Sequence, residues 1–150
     1  MILREQGVEA GVGGGMCQFS NLLYWIALHL DMEIVERHRH SYDYFPDVNR
    51  TIPFACGATI AYNYIDFQFR NPHRRTYCFR IFVTDTELVG EVYADSPLDF
   101  TVSVIERDHR FFEAGGQRYR ENRIYRMVKD LNGDLRKEEL AAHNCCRVLY

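Results

Sequence analysis

The three-to-four-residue hydrophobic period of an amphipathic helix is convincing only once in this chain. Phe19, Leu22, Leu23, Ile26, Ala27 and Leu30 recur at that spacing, which predicts a helix over about 17–30 with one buried face. From Gly57 onward the period does not return, and short alternating stretches take its place. Ten Tyr and ten Phe suit strands. One helix followed by many short strands implies an α+β fold. The expected architecture is one N-terminal helix packed by its Leu/Ile face on a mostly antiparallel, strand-rich sheet.

The punctuation of the chain gives a finer expectation. Residues 1–12 read as an extended lead-in, and Asp31 begins the exit from the helix. Residues 32–37 read as a strand with Ile34 inward. Residues 38–53 read as a loop, with turn chemistry at Phe45-Pro46-Asp47 and Asn49. Residues 58–64 are expected as a strand. Residues 65–70 alternate, with Ile65, Phe67 and Phe69 on one face and Asp66, Gln68 and Arg70 on the other. A turn follows at 71–74. Residues 77–83 and 88–93 read as a hairpin around Asp85-Thr86. Then come a strand at 100–105, a turn at Ala114-Gly115-Gly116, and a strand at 124–128 running into the turn Leu131-Asn132-Gly133-Asp134. A last strand or short helix starts at Leu135.

A length of 150 residues fits one domain over 1–150. The net charge of −3 gives no overall nucleic-acid signature, so no nucleic-acid partner is expected. The basic run Arg37-His38-Arg39-His40 reads equally as a solvated strand end or as part of a site. Five cysteines at irregular spacing, two of them adjacent at Cys145-Cys146, argue against a disulfide framework and fit a reducing compartment. No signal peptide pattern opens the chain, and 22–30 is too short to span a membrane. As it stands the chain reads as cytoplasmic; an upstream segment would place it at the cell envelope.

The chemistry centres on Gly11-Val12-Gly13-Gly14-Gly15-Met16-Cys17, a glycine-rich loop that delivers Cys17 to the helix start. Unpaired amides and the positive end of the helix dipole favour thiolate there, and a thiolate is the nucleophile of acyl transfer. Gly13, Gly14 and Gly15 leave room for a substrate in front of the sulfur. The alternative is a small buried residue that lets the helix approach the sheet. His40 and His38 share a face if their segment is a strand, and either could be the base, His40 being preferred. A partly exposed histidine pair is the plainer reading. Asp66 could orient the imidazole, or be a solvated carboxylate. Gln18 could join an oxyanion hole, or simply face solvent. Ser20 is expected to satisfy first-turn amides. Arg37, Tyr62 and Tyr64 are candidates for peptide contact. His29 reads as structural. A zinc site from Cys17, His38, His40 and Asp66 is a third possibility, but the only compact ligand pattern is His-x-His, so no metal or other cofactor is expected.

The same residues carry a resemblance. Gly13-Gly14-Gly15-Met16-Cys17-Gln18-Phe19-Ser20, Leu23-Tyr24, Ile34-Val35-Glu36-Arg37-His38-Arg39-His40-Ser41, Ala58-Thr59-Ile60-Ala61-Tyr62 and Ile65-Asp66-Phe67 resemble the VanW family, in the right order from about Val8 to Asn71. A strand-rich part, 72–150, follows. The resemblance implies a link to bacterial cell-wall biology and glycopeptide resistance. Some VanW-domain proteins are L,D-transpeptidases, in which a cysteine takes an acyl group from one peptidoglycan stem peptide and passes it to an amine on another. By position the nucleophile is Cys17, with His40 as base, and the partner is a stem peptide or its precursor. A non-catalytic accessory module using the same groove is the alternative. The resemblance also implies a segment ahead of the glycine loop, so a member shortened at its N-terminus is expected.

Overall fold

A computed structural model describes residues 14–44 and 46–150, and the backbone alone of 2–4 and 7–9. The helical period forms a single helix, α1 (Met16–His29), and the rest is mostly strand. The chain begins with an antiparallel pair, β1 (Ile2–Arg4) and β2 (Gly7–Glu9). After α1 come β3 (Glu33–Glu36), β4 (Tyr42–Asp43), β5 (Gln68–Arg70), β6 (Tyr77–Val83) and β7 (Leu88–Ala94). The long strands β8 (Phe100–Ala114), β9 (Gln117–Asp130) and β10 (Leu135–Val148) close the chain. A four-stranded sheet runs β4-β10-β9-β8, and β3 with β5 and β6 with β7 form separate antiparallel pairs. The β10–β4 pair is parallel, so the sheets are mostly rather than wholly antiparallel.

The exit from α1 comes at Asp31, as expected, two residues beyond His29 and with a left-handed φ of 50°. The Met32 amide donates to the Ala27 carbonyl at 3.0 Å and the Asp31 amide to Leu28 at 3.3 Å. Together these bonds make a Schellman stop. Lys137 and Arg126 pair with the Asp31 carboxylate at 2.5 and 3.3 Å, holding a non-glycine residue in that conformation.

Tyr24 and Leu28 of α1 form a core with Cys56, Ala58, Ile124 and Ala142. Ala27, Leu30 and Met32 pack on Phe69, Phe79 and Val92 from the two-stranded pairs. The helix therefore lies between the large sheet and the smaller ones. Gly90 of β7 allows the close approach: a Cβ there would sit 2.8 Å from Ile26 Cδ1 and 3.1 Å from Leu22 Cδ2.

Several expectations are met. The β6–β7 hairpin pairs from Tyr77↔Ala94 to Val83↔Leu88. Gly115 and Gly116, at φ 58° and 70°, form the two-residue turn between Ala114 and Gln117 that a twisted hairpin favours. Asn49 lies in a left-handed turn, though Phe45 of the expected neighbouring turn lies outside the described residues. Others are corrected. Residues 58–64 are not a strand but a strip with isolated bridges His38↔Thr59 and Ala61↔Ile65. Asn63, at φ 63°, turns the chain back between the members of the second bridge. The expected loop 38–53 contains β4, ordered by its partner β10. The alternation from Ile65 holds in burial, but only Gln68–Arg70 pairs as strand. The last segment is strand, not helix.

Candidate functional site

Cys17 occupies the second residue of α1 and is half-buried. Gly15, at φ 89°, is the residue before the helix and has no side chain with which to cap it. The first intrahelical bond comes from the Phe19 amide to the Gly15 carbonyl at 3.0 Å. The amides of Met16, Cys17 and Gln18 thus precede any intrahelical acceptor. No acidic residue lies in the first turn to compete for them. A Cβ built on Gly15 meets nothing within 4 Å, so the turn is open on that side. Gly14, Gly15 and Gln18 are exposed beside it. Gly13 lies outside the described residues.

The turn that carries Cys17 is fastened to the strip 57–59. Ser20, 1% exposed, donates its hydroxyl to the Cys17 carbonyl at 3.1 Å and to the Ala58 carbonyl at 2.5 Å. This corrects the expected cap: a hydroxyl that donates to carbonyls does not satisfy first-turn amides. Asn21 accepts from the Ala58 amide at 2.9 Å. Gly57 is required next door, because a Cβ there would lie 2.1 Å from Asn21 Oδ1.

The strip joins the histidine segment through the Thr59 amide, which donates to the His38 carbonyl at 2.9 Å. Arg37 turns inward rather than toward solvent. It donates to the Gly57 and Ala55 carbonyls at 2.8 and 2.6 Å and to Asn144 Oδ1 at 3.2 Å, above the Tyr24 ring. Arg39 donates to the Cys145 carbonyl at 2.6 Å. Half of the basic run is therefore engaged with backbone of its own chain.

His38 and His40 do not share a strand face, because β3 ends at Glu36 and only His38 makes a bridge. His38 Nε2 lies 2.9 Å from Glu36 Oε1. The His40 carbonyl accepts from the Cys146 thiol at 3.2 Å. His40 is exposed as a residue, yet the protein around its ring desolvates it and lowers its pKa below the ordinary imidazole value. Neither imidazole is hydrogen-bonded to Cys17 among the described residues. Asp66 is exposed with no hydrogen-bond partner among them, and Tyr62 and Tyr64, each 90% exposed, flank Asn63 at the tip of their turn. His29 donates within the helix, from Nδ1 to the Trp25 carbonyl at 3.0 Å.

The other thiols differ. Burial pushes the Cys56 pKa up to about 12 and raises that of Cys146, whereas Cys78 is exposed. Among the described residues no three His, Cys, Asp or Glu side chains gather as metal ligands would, and no helix is long and apolar enough to cross a membrane. Two open clefts, of about 510 and 540 Å³, lie at the opposite end of α1 near Leu30, Tyr77, His73 and Asp99.

Sequence reasoning missed a second polar assembly at the far end of the sheet. Arg120, 1% exposed, donates to Asp43 at 3.2 Å, to Asp47 Oδ1 at 3.0 Å and to His109 at 2.8 Å, beneath the Phe54 ring. Asn144 donates to Asn122 at 2.8 Å, and Asn122 donates to the Phe54 carbonyl at 2.8 Å and to Glu106 at 2.5 Å. Period-two placement of Arg120 and Asn122 was visible in the sequence. Their burial was not, because it is created by the loop that carries β4. Glu36 was also missed, although its spacing from His38 was a usable signal.

Comparison with known proteins identifies the family. The family model described as VanW like protein matches residues 1–93. The chain is 31% identical over 139 residues to the vancomycin B-type resistance protein VanW of Enterococcus faecalis (strain ATCC 700802 / V583). That alignment covers 92% of the chain and 50% of the relative, so the chain spans about half the length of the curated relative it matches. No solved structure matches. With the glycine-cysteine turn and the histidine segment both inside the matched region, the chain belongs to the VanW family.

Proposed function

We propose that this protein acts in glycopeptide resistance as a cysteine-dependent acyltransferase on peptidoglycan stem peptides, with Cys17 as nucleophile. The observation that supports it is the start of α1, where a half-buried thiol, the exposed Gly14 and Gly15 and amides with no side-chain cap among the described residues coincide. Cys17 Sγ gives its proton to a base and bonds to a carbonyl carbon of the donor peptide. Amides at the helix start stabilise the oxyanion, with Gln18 beside them. The C–N bond then breaks, and the departing amine takes up the proton. An acceptor amine attacks the thioester, forms the new amide and releases the thiol. A second reading, an accessory module that binds a stem peptide or precursor without turnover, is favoured by the lack of an imidazole on Cys17 among the described residues.

Intact-mass analysis with a tetrapeptide-stem muropeptide separates the two. The expected result is an adduct that hydroxylamine removes and that Cys17→Ala abolishes. Binding of the stem peptide without an adduct would replace the acyltransferase by the accessory module. Neither binding nor adduct would exclude both.

A further inference from the structure

We propose that His38 is the imidazole that serves Cys17, and that Glu36 is its positioning residue; the assignment rests on the acyltransferase reading above. A thiol that must lose its proton needs a base held in one orientation, and a carboxylate on the far ring nitrogen commonly provides that. Among the described residues, His38 is the histidine of the signature segment with a carboxylate partner: Nε2 lies 2.9 Å from Glu36 Oε1. With Nε2 donating to Glu36, Nδ1 carries the free lone pair and can accept a proton.

A chain of hydrogen bonds ties the His38 main chain to the turn that carries Cys17. The His38 carbonyl accepts from Thr59, the adjacent Ala58 accepts from Ser20, and the same Ser20 hydroxyl holds the Cys17 carbonyl. The strip packed on His38, residues 58–60, bears no titratable side chain. On the neighbouring pair, Arg70 is occupied by Glu33 at 2.7 Å, so it does not draw Glu36 away. Arg37 and Arg39, the flanking cations, point to Gly57 and Cys145. His40 is fixed elsewhere, its main chain tied to Cys146 at the end of β10, and Asp66 contacts no imidazole among the described residues. Both members of the pair are partly exposed, with side-chain exposures of 46% and 37%, so substituting them leaves the core untouched.

The test measures iodoacetamide alkylation of Cys17 against pH, peptide by peptide, alongside formation of the muropeptide adduct. His38→Ala is expected to slow both at neutral pH by about a hundredfold, the lower end for a lost general base. Added imidazole should restore part of the rate. Glu36→Gln should slow both about tenfold and alter the pH profile in the same sense as His38→Ala, whereas Glu36→Asp should recover much of the loss. His40→Ala and Asp66→Asn should stay within about twofold, on the same scale. A Glu36→Gln profile that overlays the unsubstituted one, or a loss confined to His40→Ala, overturns the assignment. If alkylation depends on Glu36 and His38 while no adduct ever forms, the pair stands and the acyltransferase reading falls. If the adduct forms and is indifferent to both residues, the reading stands and the pair falls.

Discussion

The two polar regions of this molecule are built on opposite terms. Around Arg120 the donors have been matched to acceptors and sealed under Phe54, with Asn122 and Asn144 both at 0% exposure. At the start of α1 no side chain among the described residues caps the backbone donors, and Gly14 and Gly15 are exposed. A satisfied buried network holds structure together, because any member removed leaves the others unpaired in a low dielectric. An unsatisfied helix end contributes little to holding the fold, but it can receive an incoming group. The contrast separates a region that holds the fold together from one that leaves polar groups accessible.

The contrast is open to attack in order of expected effect. Arg120→Ala leaves Asp43 buried without its cation and should destabilise by about 3–5 kcal/mol, read as a lowered urea midpoint at unchanged slope. A cost no greater than that of a surface substitution would mean the network holds nothing. Gly57→Ala comes next. Its methyl would displace the Asn21 side chain from the Ala58 amide, at a cost of about 1–3 kcal/mol. Here the helix start itself should loosen, so alkylation of Cys17 should change along with stability.

Acid probes the exposed edge of the Arg120 network, at Asp47. The side-chain hydrogen bond from Arg120 holds the Asp47 pKa down to about 2 from an ordinary 3.8, against the opposing effect of burial. A carboxylate with a depressed folded pKa contributes its stability above the unfolded value and loses it as pH falls through the folded one. The thermal midpoint should therefore drop between about pH 4 and pH 2. Asp47→Asn should remove that part of the dependence; a variant that falls in parallel with the parent would place the acid sensitivity elsewhere. The smallest effect is expected at the open region. Cys17→Ser should move stability by less than about 0.5 kcal/mol, as at sites outside any packed or paired feature. With exposure controlled by Cys78, which is the more accessible thiol, faster labelling of Cys17 at mildly acidic pH would show activation rather than access. Equal rates would erase the chemical half of the contrast.

What the sequence disclosed follows the range of the forces involved. The helix, the β6–β7 hairpin and the Gly115-Gly116 turn depend on near neighbours, and all were legible. Strand β8 was read as ending near Ile105 but continues to Ala114. Its second half is rich in charge because much of it faces solvent, and a shift in register at Asp108, φ 54°, breaks the alternation. Residues 58–64 look like a strand by composition, yet Ala58 has its amide and carbonyl claimed by Asn21 and Ser20 of the helix, and Asn63, at φ 63°, turns the chain back on itself. The position of Cys17 at the helix start was readable because glycine and periodicity meet there. The placement of Arg37 was not, because its acceptors Ala55, Gly57 and Asn144 are brought to it only by the folded chain.

The parallel pairing of β4 with β10 sets an order of events in time. Tyr42 and Asp43 leave the ribosome long before Arg147 and Val148, their register partners. Until β10 emerges, Arg39 lacks the Cys145 carbonyl and Arg37 lacks Asn144. The stretch that the family model matches ends at residue 93, upstream of all of these. A nascent chain that has completed its signature segments therefore still waits for its anchors. The thiol's surroundings are synthesised ahead of the strand that fixes them in place.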